Sequence, residues 1–182
     1  DADKLDFRDV EAFGEDAAYL MSAGPGDGSR IYKTTDGGKT WALQFTNAEP
    51  KGFFDALAFW DEKHGLALSD PVGGRFLLIA TDDGGKTWAA LPEKSRPEAL
   101  PNEGCFAASG TCLVARGERD VWFCTGGGKS ARVFHSTDRG ATWAVSEAPL
   151  LAGVESGGAF GLAFRDGGHG VLVGGAYRKP DA

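Results

Sequence analysis

The sequence predicts an all-β protein built from four-stranded antiparallel blades of a propeller. Three observations lead there. First, one eight-residue phrase is written three times: TTDGGKTW at 34–41, TDDGGKTW at 81–88 and STDRGATW at 136–143. Second, each copy lies between two short β-rich runs, and a glycine turn between such runs is a hairpin signal. Third, the copies recur at propeller or solenoid spacing, 47 residues from Asp36 to Asp83 and 55 from Asp83 to Asp138.

Taken in order, the first unit has runs at 7–13 and 17–22, then 30–33 and 42–45 on either side of the first phrase. The second has 54–60 and 66–69, then 75–80 and 89–91. The third has 111–116 and 121–125, then 132–135 and 144–145. A last hairpin, 160–164 with 171–174, follows alone. No stretch shows a helical period. The reading is 14 strands in a single domain, 1–182, with blades at about 5–47, 53–92 and 105–147 and a half blade at 158–177. Such a set leaves sheet edges and apolar blade faces open. Two arrangements would cover them: a longer propeller of which this chain is a piece, or two copies that make a seven-bladed ring of 28 strands.

Within the phrase, Asp36, Asp83 and Asp138 are expected to accept backbone N–H groups of their own turns. Gly38, Gly85 and Gly140 supply conformational freedom where the chain reverses. Thr40, Thr87 and Thr142 are expected to satisfy a further backbone group of the turn. Trp41, Trp88 and Trp143 are expected to bury their indoles in their blades. The third copy departs from the others by placing Arg139 where they have Gly37 and Gly84.

Composition narrows the function. A net charge of -7 disfavours nucleic acid as a partner. The longest aliphatic run, 76–80, is far shorter than the roughly 20 residues of a membrane helix, so no membrane span is expected. A chain that begins at Asp1 without methionine fits removal of an export signal, and a secreted or periplasmic location is expected. Cys112 and Cys124 would lie opposite each other if their strands pair about Glu118. That leaves open a disulfide there, with Cys105 left over, or three free thiols. No Cys-x-x-Cys pair exists, and no metal or cofactor is expected.

The phrase Ser/Thr-x-Asp-x-Gly-x-Thr-Trp identifies the chain as resembling the Asp-box, or BNR, repeat proteins. Within them, SRIYKTTDGGKTWALQFTN followed by FFDALAFWDEKHGLALSDP resembles bacterial photosystem II stability/assembly factor-like proteins. The resemblance implies a β-propeller whose boxes are structural hairpins on the outer strands. It also implies an exported, non-enzymatic scaffold that binds a protein partner, with a membrane complex as one candidate. The rival class is a secreted glycoside hydrolase, sialidase- or xyloglucanase-like, because Asp-box propellers include both.

A sialidase-like site fits poorly. The Phe-Arg-Ile-Pro signature is absent, and none of Tyr19, Tyr32 and Tyr177 has a glutamate partner indicated by the sequence. A two-carboxylate site would require a facing pair. TGGGKS at 125–130 lacks the first glycine of a phosphate loop, because position 123 is Phe123, and a strand follows it. His64 and His169 share the pattern Asp-x-x-His-Gly, which indicates a turn role. The least bland pattern is a series of glycine-rich loops that end in arginine: Arg30, Arg75 and Arg132 each open the third strand of a blade, and Arg178 follows Gly174-Gly175. An arginine-lined rim suits carboxylates or an acidic protein segment. The competing reading gives each arginine a local carboxylate, such as Asp27 for Arg30.

Overall fold

In a computed structural model, residues 4–108 and 110–179 are described. The ends of the predicted 1–182 domain, at 1–3 and 180–182, lie outside them. The described residues form 14 strands in four antiparallel sheets. The first sheet holds β1 (Asp6–Phe13), β2 (Ala17–Ala23), β3 (Arg30–Thr34) and β4 (Ala42–Thr46). The second holds β5 (Phe54–Phe59), β6 (Gly65–Val72), β7 (Arg75–Thr81) and β8 (Ala89–Ala90). The third holds β9 (Leu113–Arg116), β10 (Asp120–Cys124), β11 (Ala131–Ser136) and β12 (Ala144–Ala148). A two-stranded sheet of β13 (Gly157–Asp166) and β14 (His169–Ala176) ends the series. Each sheet is a meander in chain order. The sheets succeed one another through their first strands, β1 against β5, β5 against β9, and β9 against β13. That is the arrangement of propeller blades, and the series is not closed into a ring.

Burial follows position in the series. β5, flanked by blades on both sides, is buried at all six positions, whereas β1 is largely exposed. One apolar cluster joins the first and second blades through Tyr19, Met21, Ile31, Phe54 and Phe59. A second joins the later blades, with Phe76, Phe123 and Phe134 packed ring to ring. The terminal sheets keep apolar side chains in solvent: Val10 at one end, Val171 and Val173 at the other.

All three boxes fold identically. At the first, Asp36 Oδ1 accepts the N–H of Thr40 at 2.9 Å and Oδ2 accepts its hydroxyl at 2.6 Å. Asp83 does the same with Thr87, and Asp138 with Thr142. The threonine hydroxyl thus bonds the aspartate, not a backbone group as expected. The backbone role falls to the first residue of the phrase: Thr34, Thr81 and Ser136 accept the N–H of Gly38, Gly85 and Gly140 at 2.8–2.9 Å. Those glycines have φ between +81° and +87°. Arg139 adopts φ +59°, close to Gly37 and Gly84 at +69° and +74°. Two contacts offset that strained backbone: Arg139 Nε donates to Glu118 O at 2.8 Å, and the guanidinium lies over the Trp60 ring.

Two of the three box tryptophans pack on aromatic rings of their own blades, and one of them also reaches beyond its blade. Trp88 meets Phe59 edge-on within the cluster between the first and second blades. Trp143 meets Phe123 edge-on, and its Nε1 donates to Ser95 O at 3.0 Å, in the segment after the second blade, and to Gly140 O of its own box at 3.1 Å. Trp143 therefore ties its blade to the segment before it, while Trp88 packs on a ring of its own blade at the inter-blade cluster. Trp41 has no preceding blade among the described residues and is 38% exposed.

Candidate functional site

The four predicted arginines do not converge. Arg30 is held by Asp27, with Nε donating to its carbonyl at 2.7 Å, and Arg178 by Glu155 at 2.9 Å. Arg75 and Arg132, however, line one cleft of about 380 Å³ between the second and third blades. Lys94 and Arg96 join them there, with Trp143, Phe134 and the carboxylate Glu98 on the walls. In a chain of charge -7, Arg75 pairs with Glu98 and Arg132 with Glu103, and Lys94 and Arg96 leave the cleft locally positive.

Local structure explains the cleft. After β8 the chain continues along β7, with Leu91 donating to Leu78 O, and then leaves it in one 3-10 turn at Glu93–Ser95. It rejoins at Glu98, which bridges Arg75, while Phe76 N donates to Pro97 O. The excursion projects Lys94 and Arg96 beside the start of β7. Nothing periodic marks it in the sequence; the signal available was the charge pattern Glu-Lys-Ser-Arg-Pro-Glu itself. The second arginine loop also differs from the other two. β6 runs on through Pro71 to Val72, and the turn is only Gly73-Gly74, at φ +63° and +82°. Two successive positive φ values make the hairpin turn that matches strand twist, and they set Arg75 two residues farther from its box than Arg30 and Arg132.

Within the cleft the cations differ in freedom. Arg75 Nη1 donates to Arg96 O at 2.9 Å and Nη2 to Glu98 Oε1 at 2.6 Å. Arg96 Nε is buried and has no hydrogen-bond partner. Arg132 is committed to Glu103, whose side chain is inaccessible, through Nε at 2.7 Å and a second, very short bond from Nη2. Glu103 also accepts the Thr125 hydroxyl at 2.6 Å and the Leu100 N–H at 2.7 Å. Arg132 is thus part of the interior.

The other candidates take local partners. His64 and His169 bond Asp61 and Asp166 through Nδ1 at 2.7 Å, the shared turn role. His135 stacks on Trp122 at 4.3 Å and bonds Asp120. Cys124 N donates to Cys112 O, in the register centred on Glu118, yet the cysteines are free and buried. Burial pushes the Cys124 thiol up to about 12 and the other two well up, so all three are inert.

Carboxylates raised from their ordinary range meet near the inner strands. Burial raises Asp55 well above it and Asp70 less so, with Asp70's charge adding to the effect on Asp55.

The BNR/Asp-box repeat family matches residues 32–43. No curated protein matches the chain in sequence. Among solved structures it is similar to YCF48 bound to D1 peptide, at 19% identity and TM-score 0.56, over 78% of this chain and 40% of that one. It is also similar to YCF48 from Cyanidioschyzon merolae, at 19% identity, TM-score 0.51 and the same coverage. A third is the GH74 xyloglucanase from Xanthomonas campestris, at 16% identity and TM-score 0.57, over 86% of this chain and 24% of that one. At such identities the likeness concerns the fold, and the chain spans less than half the length of each. The chain therefore carries an Asp-box repeat and folds as a series of β-propeller blades.

Proposed function

We propose that the chain is a non-enzymatic propeller scaffold that binds an acidic segment of a protein partner, and that the basic cleft between its second and third blades receives that segment. The observation that supports this reading most is the set Arg75, Lys94 and Arg96 around one cleft, with a buried Arg96 Nε that has no partner. A carboxylate placed there would give that N–H an acceptor and take a charge-assisted bond. The Trp143 and Phe134 walls suit the apolar part of a peptide. The likeness to YCF48 bound to D1 peptide supports a protein partner, with a membrane complex as one class. An exported location belongs to the same proposal; finding the native chain in the cytosolic fraction would count against it.

The test uses a fluorescent acidic peptide with a free C-terminal carboxylate, read by anisotropy. Arg96→Ala and the pair Arg75→Ala/Lys94→Ala each weaken binding about tenfold or more, and raised salt weakens it further. Arg30→Ala and Arg178→Ala, outside the cleft, leave it nearly unchanged. Equal binding by parent and Arg96→Ala sinks the reading. The hydrolase alternative is answered by release of reducing sugar from xyloglucan, which this proposal expects to be nil.

A further inference from the structure

A second pocket, of about 360 Å³, opens where β1, β5, β6 and the last hairpin come together. Its wall is aromatic. Phe106 meets Phe160 edge-on at 4.8 Å and Tyr177 at 6.1 Å, and Phe160 lies 6.4 Å from Tyr177. Its floor is acidic. Asp55 is 1% exposed, and its Oδ2 has no hydrogen-bond partner. Asp70 beside it accepts the Cys105 N–H through Oδ1 at 2.9 Å.

We propose that this pocket binds an organic ammonium ion, with Phe106, Phe160 and Tyr177 around its apolar groups and Asp55 and Asp70 as its counter-charge. Two arguments set the sign of the ligand. Ring faces are negative and attract a cation placed over them, as Arg178 lies over Tyr177 at 5.6 Å from its centroid. The single cationic residue among those lining the pocket, Arg8, is already occupied: it bonds Asp6 through Nε and Nη2 and gives Nη1 to Ala107 O at 2.9 Å. Among the residues lining the pocket, no cationic side chain therefore remains to pair with the two carboxyls. Three further arguments set its class. No group of three or more His, Cys, Asp or Glu side chains suited to a metal occurs among the described residues. Aromatic walls offer a metal no ligands. The volume is that of a small-molecule site. This pocket has the opposite charge to the basic cleft and does not depend on it.

Titration gives the proposal a signature. The titratable groups that face the pocket are Arg8 from β1, Asp55 from β5, Asp70 from β6, Cys105 from the loop before β9, and Tyr177 after β14. Burial favours the protonated form of both aspartates. A bound cation must displace those protons, so affinity rises with pH until both are ionised.

The experiment is an amide NMR titration of the whole chain with tetramethylammonium chloride and, separately, with N-acetyl-lysine methylamide, against sodium chloride at equal ionic strength. The expected result is saturable shifts around Ala107 and Tyr177, with tighter binding at pH 8 than at pH 5. Tighter binding of the lysine compound would indicate a side chain of a protein partner; tighter binding of tetramethylammonium would indicate a free quaternary amine. Asp55→Asn weakens either by about tenfold or more and flattens the pH dependence. Tyr177→Leu, at an exposed position, weakens binding severalfold and keeps the fold. No saturable shift from either probe would overturn the proposal. So would unchanged affinity in folded Asp55→Asn or, if that variant does not fold, in Tyr177→Leu.

Discussion

At each box two side chains divide the work of the turn, and their exposure sets what each contributes. Thr81 and Ser136 are buried and hold an inward glycine N–H, so Thr81→Val or Ser136→Ala leaves that donor unpaired. The expected loss is about 1–3 kcal/mol, read by chemical denaturation. Thr40→Val, on an exposed hydroxyl, is expected to stay within about 0.5 kcal/mol of the parent. The box carboxylates are held below their ordinary range, Asp36 chiefly by the Thr40 hydroxyl and Asp83 by the Thr87 N–H. A depressed folded-state pKa stabilises above the ordinary carboxylate pKa and is lost as pH falls through the folded value. Protection of the Thr40 and Thr87 amides, measured against their intrinsic exchange rates, should therefore fall in acid. Asp55 has the opposite sign: raised by burial, it stabilises at low pH and loses that stabilisation as pH rises. The melting temperature of Asp55→Asn should fall less between pH 4 and pH 8 than that of the parent. Removing Arg132 exposes the largest dependence. Glu103 would be left buried without its cation, and Arg132→Ala is expected to cost about 3–5 kcal/mol.

At the scale of the hairpin, the same phrase does different work according to what precedes it. Trp143 reaches Ser95 in the 3-10 segment that follows the second blade, so Trp143→Ala removes an anchor beyond its own blade and is expected to cost about 3 kcal/mol. Trp41 has no described blade before it, and Trp41→Ala is expected to cost about 1 kcal/mol or less. Equal losses from the two, measured by urea unfolding, would contradict that anchoring role. All 14 strands were legible from short β-rich runs between glycine turns, because hairpin chemistry is local. Pro71 was not legible as part of a strand. It lies in β6 beside a register shift between Ser69 and Pro71, where one ladder bond is already given up.

For the whole molecule, the ends of the blade series govern solution behaviour. Val10 on the first blade and Val171 and Val173 on the last sheet are at least 60% exposed, and among the described residues β14 pairs with no strand besides β13. Such surfaces favour association. Light scattering during gel filtration should show concentration-dependent self-association that Val171→Lys with Val173→Lys reduces. A defined dimer would support two copies completing a ring; a monomer at all concentrations would remove that arrangement.

The candidate sites were less legible than the strands, for a physical reason. The sequence by itself determined the repeat, the four-strand unit and the box turns, since these depend on residues within a few positions of one another. Tertiary structure decided which arginines share a cleft, because Arg75 and Arg132 lie on different blades and Arg30 and Arg178 meet carboxylates of their own. It alone revealed Lys94 and Arg96, placed by a 3-10 excursion without periodic signal. It alone set Asp55 and Asp70 below Phe106, Phe160 and Tyr177, groups far apart in the chain that meet only when successive blades pack inner strand to inner strand.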